Sequence, residues 1–367
     1  DQLRSADSWA SLPEPLTDHD RSHLADVSVG VPSAEAARFL LTHLKTSPDA
    51  ALEAARFVEH IARYGIESSQ AEIREFARAT SADDLRRQLE LLRAIHQGLQ
   101  ARGGQVDEET RSWAVELAEA LLNSNEDDVR SAINLAGAMR LEPLVPELET
   151  LIENGDAPDD QRLAAIDARA SIDPPGSVTL LGRRLASVDD APSIRDRAAE
   201  ALGRLGRADA DTLLVETLAI APSRLQRTIA VALSGTRGGA EALLASVEAG
   251  RAPAELLREP PVQIRMNNAG VEAMASRIEA LTAGLPPADQ GLRQLIEQRL
   301  TRFASLDPAP DPEAGRAVFK EHCAACHKIG GEGEQVGPQL DGVGIRGPHR
   351  LLEDILNPNL NVDQAFR

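Results

Sequence analysis

The chain has 367 residues and carries 39 basic against 58 acidic side chains, a formal net charge of −19. Two Trp, one Tyr and six Phe argue against a large β-sandwich or barrel, because those folds rely on aromatic and β-branched residues. The hydrophobic fraction of 42% excludes disorder throughout, and the acidic balance argues against nucleic acid as a partner, because acidic surfaces repel phosphate backbones.

Residues 1–32 precede the first stretch of helical apolar spacing and are predicted to form an irregular N-terminal lead. The first residue is Asp1 rather than Met, which is compatible with a processed or trimmed product. No apolar run approaches the length of a membrane span, and the chain does not open on a basic-then-apolar targeting segment. We therefore expect no membrane span within these residues.

Residues 33–306 are predicted to form a domain of helical repeats, because apolar residues recur three and four positions apart. Early helices are expected at 34–45, 50–63, 83–102 and 108–122. Two later helices, near 262–281 and 288–305, each follow a pair of prolines, a residue that suits the first turn of a helix. The predicted fold class is all-α.

Between about residues 126 and 250 the helices repeat with a period of 32 or 33 residues. Arg130, Arg162, Arg195 and Arg227 recur at this spacing, and an Ala follows each of them two or three residues later. Such a period is typical of a helical solenoid, in which small residues allow stacked helices to pack closely. The pattern resembles a HEAT-type repeat with two helices per unit. Acid pairs such as Asp159–Asp160 are interpreted as helix caps rather than calcium or catalytic carboxylates.

The Pro-rich segment 307–312 is predicted to be a stiff linker to a second domain at 313–367. The two cysteines of the chain lie in this domain, in the order Cys323, Cys326, His327. This CxxCH spacing is typical of c-type haem, because the two thiols can reach both vinyl groups of one porphyrin and the adjacent imidazole can bind the iron. The sequence therefore predicts one covalent haem c with His327 as the proximal iron ligand.

Two other chemistries use closely spaced cysteines, and the sequence disfavours both. A redox-active dithiol would be expected in a βαβ context, and none is visible in the sequence. A zinc site would need two further ligands at regular spacing, and the chain has no other Cys. Haem attachment remains the favoured interpretation.

The residues that flank the motif support a haem pocket. Phe319 lies one helical turn before the first cysteine and is expected to fill a seam between helices. Gly337, Pro338 and Leu340 follow in a loop bounded by glycines. The carbonyl oxygen of Pro338 is placed to accept a hydrogen bond from Nδ1 of His327, and this bond would fix the orientation of the ring. The alternative interpretation of Pro338 is an ordinary turn proline.

In these positions the sequence resembles a class I c-type cytochrome, and the residues that carry the resemblance are Gly315, Phe319, Cys323, Cys326, His327, Pro338 and Leu340. The resemblance implies a Met on the opposite face of the haem, after a helix that ends in Asn-Pro. Residues 351–356 are predicted to form that helix, and Asn357-Pro358 ends it. Every Met of the chain lies upstream of the haem motif, so the haem domain is expected to be incomplete and its sixth ligand to lie beyond residue 367. Within the chain His349 is a weak candidate for the sixth ligand. The alternative interpretation is that His349 faces solvent at the start of the following helix.

The segments 337–342, 351–359 and 362–367 resemble a more specific family. It is the haem-binding domain at the C-terminus of large secreted proteins of the Planctomycetes–Verrucomicrobia group. The resemblance implies helical repeats before the haem motif, often with a dehydrogenase-like β-propeller further upstream. It covers about the last sixty residues well and the helical part more loosely.

Three functions remain open at this stage. The leading one is electron transfer through the haem, as the cytochrome module of an exported dehydrogenase system, with the repeats as a docking scaffold. The second is a haem enzyme or gas sensor with an open sixth site, and the third is an interaction scaffold with an incidental haem. No catalytic residue is assigned, and the expected partner is a redox protein or dehydrogenase module. Because haem c is normally attached outside the cytoplasmic membrane, a periplasmic or exported location is expected.

Overall fold

The computed structural model describes residues 9, 16–47, 50, 53–271, 273–285, 288–307, 310–337 and 339–356. Regular secondary structure in these residues is helical, and one isolated antiparallel bridge joins Ile329 to Glu332. The all-α class predicted from the sequence is confirmed. The chain divides into two compact units, Asp1–Ile278 and Glu279–Arg367.

The first unit is a succession of helices joined by short loops. Their bounds are α1 Asp18–Ser28, α2 Ala34–Thr46, α3 Ala54–Tyr64, α4 Ser68–Thr80, α5 Leu85–Ala101, α6 Glu108–Leu122, α7 Glu126–Met139, α8 Val145–Glu153, α9 Asp159–Ile172, α10 Pro174–Ala186, α11 Pro192–Leu205, α12 Ala208–Leu218, α13 Ser223–Leu233, α14 Arg237–Glu248, α15 Pro260–Asn268 and α16 Met274–Thr282. Two 3-10 turns, Glu142–Leu144 and Ala254–Arg258, precede α8 and α15. The division between the two units falls within α16.

These helices alternate between two layers. Helix α7 packs against α9, α9 against α11 and α11 against α13, so that every second helix belongs to one stack. Helices α10, α12 and α14 form the other stack in the same way. Neighbours in sequence also pack across the layers, as α9 does against α8 and α10. The interior is built mainly from Ala, Leu and Ile side chains, which accounts for the low aromatic content of the chain.

Small residues lie where helices of one stack cross. A Cβ added to Gly137 on α7 would lie 3.1 Å from the Cβ of Ala168 on α9. A Cβ on Gly203 of α11 would lie 2.8 Å from the Cβ of Ala232 on α13. Neither position has room for a larger side chain, so these residues set the close approach of the helices.

The periodic arginines have a structural role that their spacing alone did not reveal. Arg162 donates through Nε and a terminal guanidinium nitrogen to the carbonyl oxygen of Ile152, at 3.2 and 3.0 Å. Arg195 donates through Nε to the carbonyl oxygen of Leu185 at 3.0 Å. Both carbonyls lie in the last turn of the preceding helix, where backbone oxygens have no donor within their own helix. Each arginine therefore caps the end of the helix before it.

The next repeat uses a different residue for this cap. Gln226, next to the periodic Arg227, donates through Nε2 to the carbonyl oxygen of Leu218 at 3.0 Å. Arg227 itself is exposed. The period in the sequence is real, but it does not identify which side chain makes the bond.

The acid pair Asp159–Asp160 lies in the first turn of α9, as predicted, but it does not cap that helix through its side chains. Asp159 accepts a hydrogen bond from Oγ of Ser193 on α11 at 3.0 Å. Asp160 forms an ion pair with Arg130 on α7. The two carboxylates thus connect three successive helices of one stack.

The structure differs from the predicted helix boundaries in several places. The predicted irregular lead, residues 1–32, contains α1, and α4 was not predicted. The single helix expected near 262–281 is two helices, α15 and α16. Gly270 lies between them in a left-handed conformation with φ of 69°, which a continuous helix does not allow.

The second unit contains α17 Ala288–Ala304, α18 Pro312–His322, a 3-10 turn Val343–Arg346 and α19 Gly347–Leu356. Helix α17 packs against α19, and its Ile296 side chain is only 3% exposed. The Pro-rich segment 307–312, predicted as the domain boundary, lies inside this unit, and residues 308 and 309 are outside the described residues. The helix predicted at 351–356 begins four residues earlier, at Gly347.

Among the described residues, no helix combines the length and the hydropathy that crossing a bilayer requires.

Candidate haem-binding site

The two cysteines and His327 lie on one backbone turn that directly follows α18. The N–H of Cys323 donates to the carbonyl oxygen of Phe319 at 2.8 Å, which continues the last turn of the helix. The N–H groups of Cys326 and His327 both donate to the carbonyl oxygen of Cys323, at 3.1 and 2.9 Å. Residues three and four apart share one side of such a turn, so the backbone brings the two thiols and the imidazole together.

A glycine-rich loop wraps around this turn and binds its carbonyls. The N–H of Glu334 donates to the carbonyl oxygen of Ala324 at 2.8 Å. The N–H groups of Val336 and Gly337 donate to that of Cys326 at 3.1 and 2.6 Å. Gly333, with φ of 91°, has no room for a Cβ, because that atom would overlap the carbonyl oxygen of His327. The loop therefore depends on glycine both for its conformation and for its contact with the turn.

Gly337 lies directly against the imidazole of His327. A Cβ at this position would be 2.7 Å from Cε1 and 3.0 Å from Nδ1 of the ring. Such distances are too short for a methyl group, so the missing side chain leaves the space that the ring occupies. The sequence predicted Gly337 to belong to the haem pocket, and the structure places it beside His327.

A second set of bonds closes the loop. The N–H of Leu340 donates to the carbonyl oxygen of Lys328 at 2.8 Å, immediately after the motif. Asp341 accepts the N–H of Gly330 at 2.6 Å. That backbone bond, together with the side-chain bond from Gln339, lowers the pKa of Asp341 below its usual value. The carboxylate thereby joins the two ends of the glycine-rich loop.

The loop is also attached to α18. Glu332 forms an ion pair with Arg316 and lies 3.5 Å from Nζ of Lys320. The hydrogen bond from Arg316 is the main reason why the pKa of Glu332 is lowered. All three side chains are exposed or half-buried, so this attachment positions the loop more than it stabilises the unit.

Two predicted site residues have positions that do not test their roles. Phe319 is half-buried on α18 and its carbonyl oxygen accepts the N–H groups of Cys323 and Ala324. His349 is exposed in the first turn of α19, with its Nδ1 3.9 Å from Oε1 of Glu353 on the same helix. Pro338 lies outside the described residues.

Sequence reasoning missed three residues that shape the site, Gly333, Glu332 and Asp341. The segment from Gly330 to Gly337 is held by hydrogen bonds of its backbone N–H groups, those of Gly330, Glu332, Glu334, Val336 and Gly337. These bonds identify it as a defined support for the turn.

Comparison with known families decides the class of this site. Residues 312–365 match the family model described as Cytochrome c. The chain therefore carries a cytochrome c domain, and that domain implies a covalently bound c-type haem, which supports haem-based electron transfer in general terms. No curated protein matches the chain.

The residues of the cytochrome c domain fit a haem. Two thiols and one imidazole on a single turn are the donor set for thioether attachment and iron ligation. Within the described part of the domain, large apolar side chains are exposed, among them Val318 at 56%, Val336 at 80% and Ile345 at 95%. An apolar macrocycle is a suitable partner for side chains of this kind.

Proposed function

We propose that this chain transfers electrons through one haem c, attached by Cys323 and Cys326 and ligated by His327, as the cytochrome module of an exported dehydrogenase system. The single observation that carries the proposal is the arrangement of these residues on one turn, with Gly337 against the imidazole, in a segment that matches the cytochrome c family. The covalent haem, when bound, supplies a one-electron couple at its iron.

The residues of the chain would control where and how the haem is held. The thioether positions fix it at the end of α18, and the bonds from Val336 and Gly337 to the carbonyl of Cys326 hold the loop against His327. Support around a ligating imidazole sets its orientation and basicity, so the loop is proposed to tune the reduction potential. The carbonyl oxygen of Pro338 is proposed to accept a hydrogen bond from Nδ1 of His327.

The three methionines of the chain are proposed not to be the sixth iron ligand. Met139, Met266 and Met274 belong to the first unit and are between 0% and 7% exposed, so they serve as core residues there. Of the described histidines near the motif, His349 is the remaining weak candidate.

The helical repeats are proposed to be a HEAT-like docking scaffold for a redox partner or dehydrogenase module. A groove of about 570 Å³ runs across α3, α5 and α7, with Arg56, Arg86 and Arg93 interspersed with acidic side chains. Mixed charge of this kind favours selective, salt-sensitive association over non-specific binding.

A periplasmic or exported location is proposed together with this function. Its support is the chemistry of haem attachment, which normally takes place outside the cytoplasmic membrane, and the resemblance to domains of secreted proteins. The location can be measured directly by fractionation of cells that express the natural gene.

Carbon monoxide binding to the reduced full-length protein tests the proposal. An electron carrier whose sixth position is filled by Met is expected to bind carbon monoxide slowly and incompletely, and its oxidised spectrum should contain a Met-to-iron charge-transfer band. Rapid and stoichiometric binding would contradict electron transfer and favour a sensor or haem enzyme. The matched control is Cys323→Ala with Cys326→Ala, in which covalently attached haem should be absent after acid–acetone extraction.

A further inference from the structure

Two histidines form a pair on the exposed side of α1, far along the chain from the haem motif. His19 and His23 are one helical turn apart, and both side chains are exposed. Their Nε2 atoms lie 3.1 Å apart and the two rings meet edge to face, with centroids 4.3 Å apart. In the absence of a metal this geometry is a hydrogen bond in which one ring donates and the other accepts.

The same geometry suits two imidazoles that share a metal ion. With metal–nitrogen bonds of about 2.05 Å, two nitrogens 3.1 Å apart subtend an angle of about 98° at the metal. This value lies between the angles of square-planar and tetrahedral coordination, so neither ring has to move far. The donor ring needs only to carry its proton on Nδ1 instead of Nε2, which leaves both Nε2 lone pairs available without loss of a proton.

The helix is anchored in a way that keeps the pair in place. Thr17 caps α1 and Asp20 completes a capping box, with the N–H of Asp20 donating to Oγ1 of Thr17 at 3.2 Å. Both histidines therefore lie in the first turns of a helix whose start is fixed, and a second anchor joins Asp26 on α1 to Arg56 on α3. A fixed backbone lowers the entropic cost of bringing two ligands to one ion.

Local charge also favours a cation. Asp18 and Asp20 lie beside His19 in the first turn of α1. The carboxylate of Asp20 accepts hydrogen bonds from the N–H and the hydroxyl of Thr17, so it is held at the start of the helix that carries the pair. Within the described residues, no group of three or more His, Cys, Asp or Glu side chains is arranged to hold a metal ion. Water would therefore complete the coordination.

We propose that His19 and His23 form a binding site for a divalent transition-metal ion of the kind that prefers imidazole, such as Cu²⁺, Zn²⁺ or Ni²⁺. The two Nε2 atoms are the protein ligands, and water fills the other positions. The site is independent of the haem: it lies in the first unit and uses none of the residues of the cytochrome c domain.

The test uses the oxidised, haem-loaded full-length protein and Cu²⁺ as the probe, because Cu²⁺ binds nitrogen ligands most strongly among these ions. Binding is measured by calorimetry, and the copper electron paramagnetic resonance spectrum reports how many nitrogens are bound. The variants are His19→Ala, His23→Ala and the double replacement. His96→Ala is the control, because His96 is a half-buried histidine of α5 without a neighbouring imidazole one turn away. Circular dichroism verifies that each variant remains folded.

We expect a stoichiometric site with two nitrogen ligands in the unchanged protein. Each single replacement should weaken binding by at least about tenfold, and the double replacement should add little, because either ligand alone loses the chelate. His96→Ala should bind Cu²⁺ as the unchanged protein does. The proposal is overturned if the unchanged protein binds no stoichiometric Cu²⁺, if the His19 and His23 replacements leave the affinity unaltered, or if His96→Ala weakens it equally.

Discussion

Arg162 and Asp190 form an ion pair in the interior of the first unit, where their side chains are 3% and 6% exposed. Arg162 lies on α9 and also caps the end of α8 through Ile152, while Asp190 belongs to the loop that leads into α11. Arg184 approaches the same carboxylate at 3.4 Å. One buried pair therefore connects three consecutive elements of the helical array.

Replacement of Arg162 by Ala should lower the free energy of unfolding of the first unit by about 3–5 kcal/mol. The variant leaves the carboxylate of Asp190 buried with only the longer contact to Arg184, and it also leaves the carbonyl of Ile152 without its donor. Urea unfolding followed by circular dichroism measures the change. Arg195→Ala is the matched control: Arg195 is half-buried and donates to Leu185, so a loss of only about 1–2 kcal/mol is expected. Equal losses in the two variants would mean that the buried pair contributes nothing beyond the cap.

Stability of the first unit should fall as the pH is lowered through the range below the ordinary histidine value of about 6.5. Burial is the main reason why the pKa values of His43, His60 and His96 are lowered in the folded protein. Between the folded and the unfolded pKa, the unfolded chain binds more protons, so the free energy of unfolding decreases with decreasing pH there. Above the unfolded pKa the histidines are neutral in both states and their contribution is complete.

The measurement is the urea midpoint of the unchanged protein and of His60→Gln at several pH values between mildly acidic and neutral. His60 packs against Tyr64 with ring centroids 4.7 Å apart, and a side chain that does not titrate should make the pH dependence less steep. If His60→Gln has the same slope as the unchanged protein, burial of this imidazole is not a source of the pH dependence.

The elements that could be predicted from sequence are those with a local cause. Helix α6 has its predicted bounds, because Asp107 caps it and its apolar face is continuous. Gly206 ends α11 in the left-handed conformation with φ of 61°, which glycine adopts readily and which commonly ends a helix. The haem motif is local for the same reason, since five consecutive residues carry its chemistry.

The features that escaped prediction depend on contacts between distant residues. The 32- or 33-residue period does not reveal that Arg162 bonds to the carbonyl of Ile152. It also does not reveal that Gln226, rather than Arg227, makes the corresponding bond in the next repeat. Both bonds depend on where the preceding helix ends. The clearance at Gly337 depends on a loop that folds back onto His327. A Cβ on Gly315, one of the residues that carry the cytochrome resemblance, would meet no described atom within 4 Å.

Replacement of Gly337 by Ala should disturb the imidazole of His327 without unfolding the domain. The backbone at Gly337 is not left-handed, so alanine adds no backbone strain there, but its Cβ would press on Cε1 and Nδ1 of the ring. We expect a shifted Soret band and an electron-transfer rate that is lower by about tenfold, in the range found when the support of a metal ligand is altered. Gly344→Ala is the control, because a Cβ there meets no described atom within 4 Å. If the two variants have the same spectrum and rate, Gly337 does not position the ring.

Helix α17 should behave as part of the haem unit rather than of the helical array, although the sequence placed the boundary after it. Its buried Ile296 lies in the second compact unit, where α17 packs against α19. Ile296→Ala should therefore lower the stability of the haem unit by about 2–5 kcal/mol.

Unfolding is followed by haem absorbance for this unit and by far-ultraviolet circular dichroism for the chain as a whole, which is dominated by the first unit. Two variants are controls. Ile229→Ala, at a fully buried position of α13, should displace the circular dichroism transition and leave the haem transition unaltered. Phe303→Ala, at a position of α17 that is 49% exposed, should change neither transition. The two possible domain divisions differ in whether the haem unit includes α17. If Ile296→Ala leaves the haem transition unchanged, α17 belongs to the helical array and the domain boundary lies at 307–312.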